Sequence, residues 1–465
     1  MRVASIDIGS NSIKLLVVET ASSGKLLPLR QEKSMVRLGH ETLLKGHLSS
    51  EAIVQAIRTL SVFKTLSQNL GAEQIIVVAT ASVREADNAQ AFIREAEART
   101  GLRIEVLSGI EEARLIGIAA AGGMNGKRSG PLLNIDIGGG STELSLMRGA
   151  KAVTLQSMKI GAVRLSEQFL TTDPPKPNEL LAMQREIEGA LERPMRELKG
   201  KKWEIVTGTS GTILAIGAAF QSLNYPDNES MADGRSAGMI PSITMRADML
   251  SEFNAHLAAI PVAERKKIKG ISDQRAEIIV AGGQILETIM RAFKIKKVAT
   301  CNSGLREGVL LDRRSEWDGH HQNRARELDA RLAGAEALGE RFGFEAAHGK
   351  HVSQLATMLF DQLKSLHGLK VHDRALLAAG ALLHDIGYAI APESHHKHSL
   401  YLILNSELTG FTDLERQIIA NIARYHRRAF PKPSHAFFNA LTMEDQSRVW
   451  MLGAITRLAD AMDRS

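Results

Sequence analysis

Two stretches of the chain decide its fold: residues 6–12 read IDIGSNS and residues 135–141 read IDIGGGS. Their aspartates, Asp7 and Asp136, lie 129 positions apart. A second pair of segments, residues 76–80 (IVVAT) and 205–209 (IVTGT), repeats at the same offset. Two matches at one spacing indicate a duplicated domain.

Each copy has the pattern of an α/β unit. The apolar run before the first Gly and Ser-rich turn continues into residues 13–18, which predicts a strand, a tight turn and a second strand. Helical spacing of apolar residues predicts a helix over 50–70, and residues 75–79 predict the next strand. Single turns of this kind are common in ordinary hairpins. Because the turn occurs twice, we expect two facing units whose glycines and hydroxyls approach phosphate oxygens in a cleft.

Length and composition exclude several classes of protein. The 465 residues predict about three domains. The single cysteine, Cys301, cannot form an intramolecular disulfide and fits a cytoplasmic location. Asp7 interrupts any signal sequence, and no apolar run is long enough for a membrane span, so no membrane association is expected. The net charge of +6 favours an acidic partner, whereas 4% aromatic residues make nucleic-acid binding a weak interpretation.

Six motifs, in order, resemble the exopolyphosphatase and guanosine pentaphosphate phosphohydrolase family of the actin-like, sugar-kinase superfamily. They are residues 6–12, 80–84 (TASVR), 108–113 (SGIEEA), 136–144 (DIGGGSTEL), 208–212 (GTSGT) and 303–308 (SGLREG). The resemblance covers residues 1 to about 312 well and the remainder more loosely. It implies an α/β fold with a duplicated actin-like (ribonuclease H-like) two-domain core, an interdomain cleft and an all-α HD-like third domain. The expected boundaries are 1–128, 129–312 and 313–465, and the family is expected to form homodimers.

The resemblance implies phosphoanhydride hydrolysis and leaves the substrate open. The first interpretation is an exopolyphosphatase that processively removes terminal phosphate from inorganic polyphosphate. The alternative is hydrolysis of guanosine pentaphosphate at its 5′-phosphates, and a further alternative is an ATP-binding kinase or regulator of the wider superfamily. The sequence shows no distinct purine pocket, which slightly favours the inorganic polymer.

Glu112 is the candidate catalytic base, because it matches the family position of the group that orients or deprotonates the attacking water. Its neighbour Glu111 should point elsewhere, since adjacent helical residues do not share a face. A simpler interpretation is that both glutamates only favour the start of a helix over 111–121. Arg84 corresponds to a phosphate-contacting arginine of the family, whose planar guanidinium can hold two oxygens.

Three carboxylates are candidate Mg²⁺ ligands, with Mn²⁺ as an alternative cation. Asp136 and Glu143 are preferred, and Asp7 occupies the equivalent turn of the first copy, where it could instead only brace its turn. A hard cation between carboxylates and a polyanion would prevent their repulsion. The candidate phosphate-binding residues are Gly9, Ser10, Asn11, Ser12, Arg84, Gly138, Gly139, Gly140, Ser141, Thr142, Gly208, Thr209, Ser210 and Gly211.

The last third of the chain, beyond the charged stretch 312–319, has helical apolar spacing over 324–341, 351–366, 374–384 and 412–425. Its sequence resembles the HD phosphohydrolase pattern, and the candidate metal ligands are His351, His384, Asp385, His426 and Asp460. Two hypotheses stay open: a second active site, or a scaffold whose basic clusters at 395–398 and 424–428 hold a long polyanion.

Overall fold

The computed structural model describes residues 1–20, 26–40, 42–122, 130–224, 243–314 and 321–463. The chain divides into two compact units, Met1–Asp318 and Gly319–Ser465. The expected boundary between residues 128 and 129 lies outside the described residues, so the limits of the three domains stay a prediction. The two units are described separately below.

The first half of the larger unit is a five-stranded sheet with flanking helices. Its elements are β1 (Arg2–Ile8), β2 (Ser12–Thr20), β3 (Leu26–Met35), α1 (Thr42–Lys45), α2 (Ser50–Asn69), β4 (Gln74–Ala79), α3 (Ala81–Glu85), α4 (Ala89–Thr100), β5 (Ile104–Val106) and α5 (Gly109–Gly122). The strand order is β3-β2-β1-β4-β5, with β1 antiparallel to β2 and parallel to β4. The predicted hairpin, helix and strand are therefore confirmed. The Ser49 side chain caps α2 by accepting from the Ala52 backbone N–H at 3.2 Å.

The second half repeats this arrangement. Its elements are β6 (Leu132–Ile137), β7 (Thr142–Arg148), β8 (Lys151–Met158), α6 (Ala162–Phe169), α7 (Pro177–Glu197), β9 (Ile205–Thr209), α8 (Ser210–Asn224), β10 (Thr244–Arg246), α9 (Ala247–Ala259), α10 (Val262–Arg265), α11 (Asp273–Ala276), α12 (Ile279–Ala292), β11 (Lys297–Thr300) and α13 (Leu305–Asp312). The order β10-β11-β9-β6-β7-β8 matches the first sheet and adds the edge strand β10. Every residue of β6 is buried, as expected for a strand covered on both faces. The duplicated actin-like α/β core is confirmed.

Helix α5 belongs to the first copy by sequence but packs on strands β7 and β8 of the second sheet. The Ser145 hydroxyl donates to the Ala113 carbonyl at 2.6 Å and fixes the helix there. Helix α13 packs in turn against α5 and β1. It approaches so closely that a Cβ on Gly308 would lie 2.1 Å from the Leu115 carbonyl oxygen. The position of α5 is thus set by both copies.

The smaller unit is helical throughout the residues that the structure describes. Its elements are α14 (His321–Arg341), α15 (Ala346–Gln362), α16 (Lys364–His367), α17 (Val371–Leu382), a 3₁₀ turn (Ile386–Ala389), α18 (His395–Leu404), α19 (Asp413–Arg424), α20 (Ala436–Asn439) and α21 (Met443–Asp463). These helices surround a core of their own that includes Leu376, Ile418 and Leu452. The expected all-α third domain is confirmed. Among the described helices, none has the length and apolarity needed to cross a bilayer.

Candidate active site

A cleft in the larger unit brings residues of both copies together around a cavity of about 230 Å³. Of the residues predicted from the sequence, its lining contains Asp7, Gly9, Ser10, Asn11, Ser12, Glu112, Asp136, Gly138, Gly139, Gly140, Ser141, Ser210 and Gly211. The predicted residues outside the lining are Arg84, Thr142, Glu143, Gly208 and Thr209. The two hairpin turns therefore meet at one cavity, as the repeat predicts.

The two hairpin turns have the same internal geometry. The backbone N–H of Gly9 donates to the Ser12 carbonyl at 3.2 Å, and that of Gly138 donates to the Ser141 carbonyl at 2.9 Å. Each bond closes a tight turn at the junction of two strands. Glycine lets other groups approach the turn backbone closely, which is the property that phosphate-binding turns use.

Asp136 and Glu143 are directly opposite each other on the antiparallel strands β6 and β7, so their side chains share one face of the sheet. The Thr209 hydroxyl donates to Asp136. Burial, with a smaller contribution from the charge of Asp7, raises the pKa of Asp136 to about 6. A carboxylate pair in this environment is costly unless a cation or proton neutralises it.

The hydroxyl groups of Ser157 and Ser141 lie beside the Glu143 carboxylate. Its Oε1 accepts from the Ser157 hydroxyl at 2.8 Å, while its Oε2 is buried and has no hydrogen-bond partner among the described residues. Burial, followed by the charges of Glu112 and Asp136, raises the pKa of Glu143 well above its usual range. Carboxylate oxygens such as these are the ligands that the hard cation Mg²⁺ prefers, and one or two of them together with substrate phosphates suffice to bind it.

Glu112 lies in the first turn of α5 and is only 8% exposed. Arg84 donates from Nη1 to Glu112 Oε2 at 3.0 Å and to the Leu107 carbonyl at 2.8 Å. Burial raises the pKa of Glu112 to about 7 despite the opposing charge of Arg84, and the charges of Asp136 and Asp7 add to the rise. A carboxyl group balanced between its two protonation states near neutral pH is well suited to accept a proton from water. Arg84, predicted to contact phosphate, holds Glu112 in this structure.

Glu111 points away from the cleft, as its position in the helix predicts. It accepts two hydrogen bonds from Arg114, at 2.8 and 2.7 Å. The same guanidinium makes two bonds of 2.7 Å to Asp312 at the end of α13. The two adjacent glutamates therefore differ in role. Glu111 links α5 to α13 through Arg114, whereas Glu112 lines the cavity.

Four basic residues that received no role from the sequence also line the cavity: Lys14, Lys33, Arg275 and Arg306. Lys14 Nζ lies 3.6 Å from Asp7 Oδ2. The ammonium group of Lys33 is partly buried although the residue as a whole is exposed, and this burial, with the charges of Arg275 and Lys14, lowers its pKa to about 8. Burial also lowers the pKa of Arg275 to about 10. Cations that destabilise one another indicate a site for an anion.

Two of these four basic residues lie in or next to a motif of the sequence. Arg306 lies inside the motif 303–308, and Lys14 follows the first motif on β2. Lys33 and Arg275 come from segments without a motif. Gly211 leaves room for Arg275, because a Cβ at Gly211 would lie 2.0 Å from Arg275 Nη2.

The smaller unit gathers four of the five residues that the HD-like pattern singled out. His384, Asp385, His426 and Asp460 lie close together. The fifth, His351, has a side chain that is 56% exposed and contacts Asp463 at the edge of this group. His348, which the sequence interpretation passed over, lies in the centre instead, with its Nε2 3.2 Å from His384 Nε2.

A duplicated actin-like core whose glycine turns, carboxylates and cations converge on one cleft defines a phosphate-handling enzyme of the actin-like class. Residues 16–316 match the model of the Ppx/GppA phosphatase family, and residues 330–465 match the model of domain III of the same family. The chain belongs to the Ppx/GppA phosphatase family.

Two relatives show how far the similarity extends. One, from Pseudoalteromonas translucida (strain TAC 125), is 29% identical over 447 residues, covering 94% of this chain and 82% of the relative. The other, from Vibrio vulnificus (strain YJ016), is 31% identical over 432 residues, covering 91% and 80%. Both are named guanosine-5′-triphosphate,3′-diphosphate pyrophosphatase.

Two solved structures resemble the fold. The Ppx/GppA family member of Aquifex aeolicus is 30% identical with a TM-score of 0.56, covering 67% of this chain and 96% of that one. An exopolyphosphatase from Cytophaga hutchinsonii is 24% identical with a TM-score of 0.62, covering 68% and 98%. The second likeness concerns the fold alone.

Proposed function

We propose that this protein hydrolyses the terminal phosphoanhydride bond of a phosphate chain, with guanosine pentaphosphate as the first candidate substrate. The observation that carries the reaction type is the buried carboxyl group of Glu112. It reaches the cavity, is oriented by Arg84 and has a pKa of about 7. Such a group can take a proton from the water that attacks the terminal phosphorus atom.

The other groups of the cleft would bind the phosphate chain and neutralise its charge. Backbone N–H groups of the two hairpin turns and the nearby hydroxyls hold phosphate oxygens on opposite sides. Lys14, Lys33 and Arg275 neutralise the charge of the bound chain. Asp136 and Glu143 would hold Mg²⁺ with help from Asp7, and the cation would supply further charge neutralisation at the phosphates.

The choice of guanosine pentaphosphate is supported by the relatives, whose similarity extends over more than nine tenths of this chain and includes both units. The cavity of about 230 Å³ is smaller than the roughly 300–1,000 Å³ of typical small-molecule sites. We therefore infer that the cavity takes the phosphate chain, while the nucleoside of such a substrate would lie outside it.

Long inorganic polyphosphate, the first interpretation of the sequence, is the second candidate. Four cations line the cavity, and none of the lining residues described above is aromatic, so a base would find no stacking partner there. A chain made only of phosphates needs charge neutralisation and no base recognition. An ATP-binding kinase or regulator of the wider superfamily is the weakest candidate, because both units match models of a phosphatase family.

Phosphate release should be compared for guanosine pentaphosphate, long polyphosphate and ATP at matched Mg²⁺ and ionic strength. We expect the highest kcat/KM for guanosine pentaphosphate. A higher value for polyphosphate would replace the first candidate by the second. Preference for ATP would contradict both. The Glu112→Gln variant, assayed in parallel, verifies that each activity arises in the same cleft.

The pH dependence of kcat/KM should report the state of Lys33. Because its pKa is about 8 in the free protein, the side chain is charged below this pH and loses its charge above it. We expect kcat/KM to decline as the pH rises through about 8, since a neutral amine attracts the phosphate chain less. Lys33→Arg should move the decline to higher pH, and Lys151→Arg, at an exposed lysine, should not. An unchanged alkaline limb in Lys33→Arg would contradict this assignment.

A further inference from the structure

Three histidines of the smaller unit are fixed in the same orientation. The Nδ1 atoms of His384, His395 and His426 lie 2.7, 2.9 and 2.7 Å from the carbonyl oxygens of Ala381, Pro392 and Ala423. A carbonyl oxygen can only accept, so each Nδ1 carries the proton of the neutral ring. Each Nε2 then presents a lone pair. This is the arrangement of histidines that bind a metal through Nε2.

His348 has the same orientation with a carboxylate as its acceptor. Its Nδ1 contacts the Asp463 carboxylate, and its Nε2 lies 3.2 Å from Nε2 of His384. Two imidazole lone pairs at this separation repel each other unless a cation or a shared proton lies between them. A positive charge between the two rings would remove this repulsion.

Two carboxylates complete the first group of donor atoms. Asp385 Oδ2 lies 3.7 Å from His348 Nε2 and 3.5 Å from His384 Nε2. Asp460 Oδ1 lies 3.6 Å from both nitrogens. Ligands about 2.1 Å from a metal in a tetrahedron are roughly 3.4 Å apart. The separations among His348, His384 and Asp460 thus match the ligands of a single cation, and Asp385 Oδ2 lies at a similar distance from both imidazoles.

The second oxygen of Asp385 faces another group of donors. Oδ1 lies 3.1 Å from His395 Nε2 and 3.4 Å from His426 Nε2. Asp385 Oδ1 and His426 Nε2 are both buried and have no hydrogen-bond partner among the described residues, and His426 is only 1% exposed. His395 Nε2 also lies 3.3 Å from Arg427 Nη1, which would have to move aside for a metal. The Asp385 carboxylate therefore spans two groups of donors.

We propose that the helical unit binds two divalent transition-metal ions that share the Asp385 carboxylate. The first is held by His348, His384, Asp460 and Asp385 Oδ2. The second is held by Asp385 Oδ1, His426 and His395. Imidazole nitrogen favours Mn²⁺, Fe²⁺, Co²⁺ or Zn²⁺ over Mg²⁺, in contrast to the carboxylate oxygens of the cleft. This centre is independent of the reaction proposed for Glu112.

Ions can reach the centre from solvent. A cavity of about 590 Å³ is lined by His348 and Asp385, together with Tyr388, Asp463 and His351. The neighbouring carboxylate of Asp463 orients His348 through its Nδ1, and His351 contacts the same carboxylate. The sequence predicted His351 as a metal ligand, but in the structure His351 contacts Asp463 at the edge of the centre. His348 occupies the ligand position that was expected for His351.

The test uses the whole 465-residue chain, which is first treated with a chelator that is then removed. Co²⁺ is titrated in, and its visible absorption bands, which depend on the ligand atoms, are followed together with the metal content after gel filtration. We expect bands typical of mixed nitrogen and oxygen ligation in the wild type and their loss in His384→Gln and Asp385→Asn. His398→Gln, at a histidine outside the centre, and Asp136→Asn, in the cleft, should keep the bands.

Circular dichroism of each variant checks that the helices remain. Asp385→Asn preserves the size of the side chain and guards against loss of binding through misfolding. If the wild type binds no Co²⁺, Mn²⁺ or Zn²⁺ at millimolar concentrations, the rings share a proton and the metal proposal is wrong. Unchanged Co²⁺ bands in folded His384→Gln would also overturn it. A content of one ion per chain with the same bands would remove the second position only.

Discussion

Replacing Glu112 by Gln should lower kcat by roughly 10²–10⁴-fold, the range expected for loss of a general base, while the protein stays folded. The amide has nearly the same size as the carboxyl group and can still accept a hydrogen bond from Arg84. It cannot take a proton from water at neutral pH. The measurement is single-turnover phosphate release with the enzyme in saturating excess over the substrate, which separates the chemical step from product release.

Glu111→Gln is the matched control, since it makes the same change one residue earlier in α5. Glu111 is buried against Arg114, and its loss of charge should lower the free energy of unfolding by about 1–3 kcal/mol. The value of kcat should change little, because Glu111 does not line the cavity. Turnover near the wild-type value in Glu112→Gln would exclude this residue from the mechanism, whatever the result for Glu111.

The duplicated fold could be predicted because its signals are local and occur twice. Asp7 and Asp136 end equivalent strands, and the glycines after them close equivalent turns. The alternation of a strand, a turn and a second strand is set by residues that are neighbours in the sequence. The same local signals brought most of the predicted phosphate-binding residues to one cavity.

The crossing of α5 and α13 could not be predicted, because it depends on close packing between segments far apart in the chain. The last residue of the motif 303–308 shows this. Gly308 lies against the backbone of Leu115, so its lack of a Cβ sets the distance between the two helices. The sequence alone does not show why a glycine is needed at position 308. Lys33 and Arg275 were missed for a related cause, since only the fold brings them to the cavity.

The helical unit illustrates a different limit of sequence reasoning. His348 and His351 are three residues apart on α15, and residues at this spacing share one face of a helix. Sequence spacing therefore cannot decide which of them meets His384. The structure places His348 in contact with His384 and leaves His351 beside Asp463.

Removal of divalent cations should lower phosphate release by roughly 10³-fold or more, because a metal at the phosphates contributes several kcal/mol to the stability of the transition state. The physical reason lies in the cleft, where Asp136 and Glu143 share a face and Glu143 leaves one buried oxygen without a hydrogen-bond partner among the described residues. The 465-residue chain is treated with a chelator and assayed before and after Mg²⁺ is restored. Full turnover in excess chelator would rule out the metal assignment.

The variants should separate the roles of the two equivalent aspartates. Asp136→Asn should raise the Mg²⁺ concentration for half-maximal activity more than Asp7→Asn, because Asp136 lies opposite Glu143 whereas Asp7 has the ammonium group of Lys14 within 3.6 Å. Asp248→Asn, at an exposed aspartate paired with Arg246, should leave this concentration unchanged. Equal effects of Asp7→Asn and Asp136→Asn would mean that the cation is shared evenly by the two copies. In that case the equivalent carboxylates of both copies bind the metal. The ion pair between Lys14 and Asp7 would then break when Mg²⁺ and the phosphate chain bind.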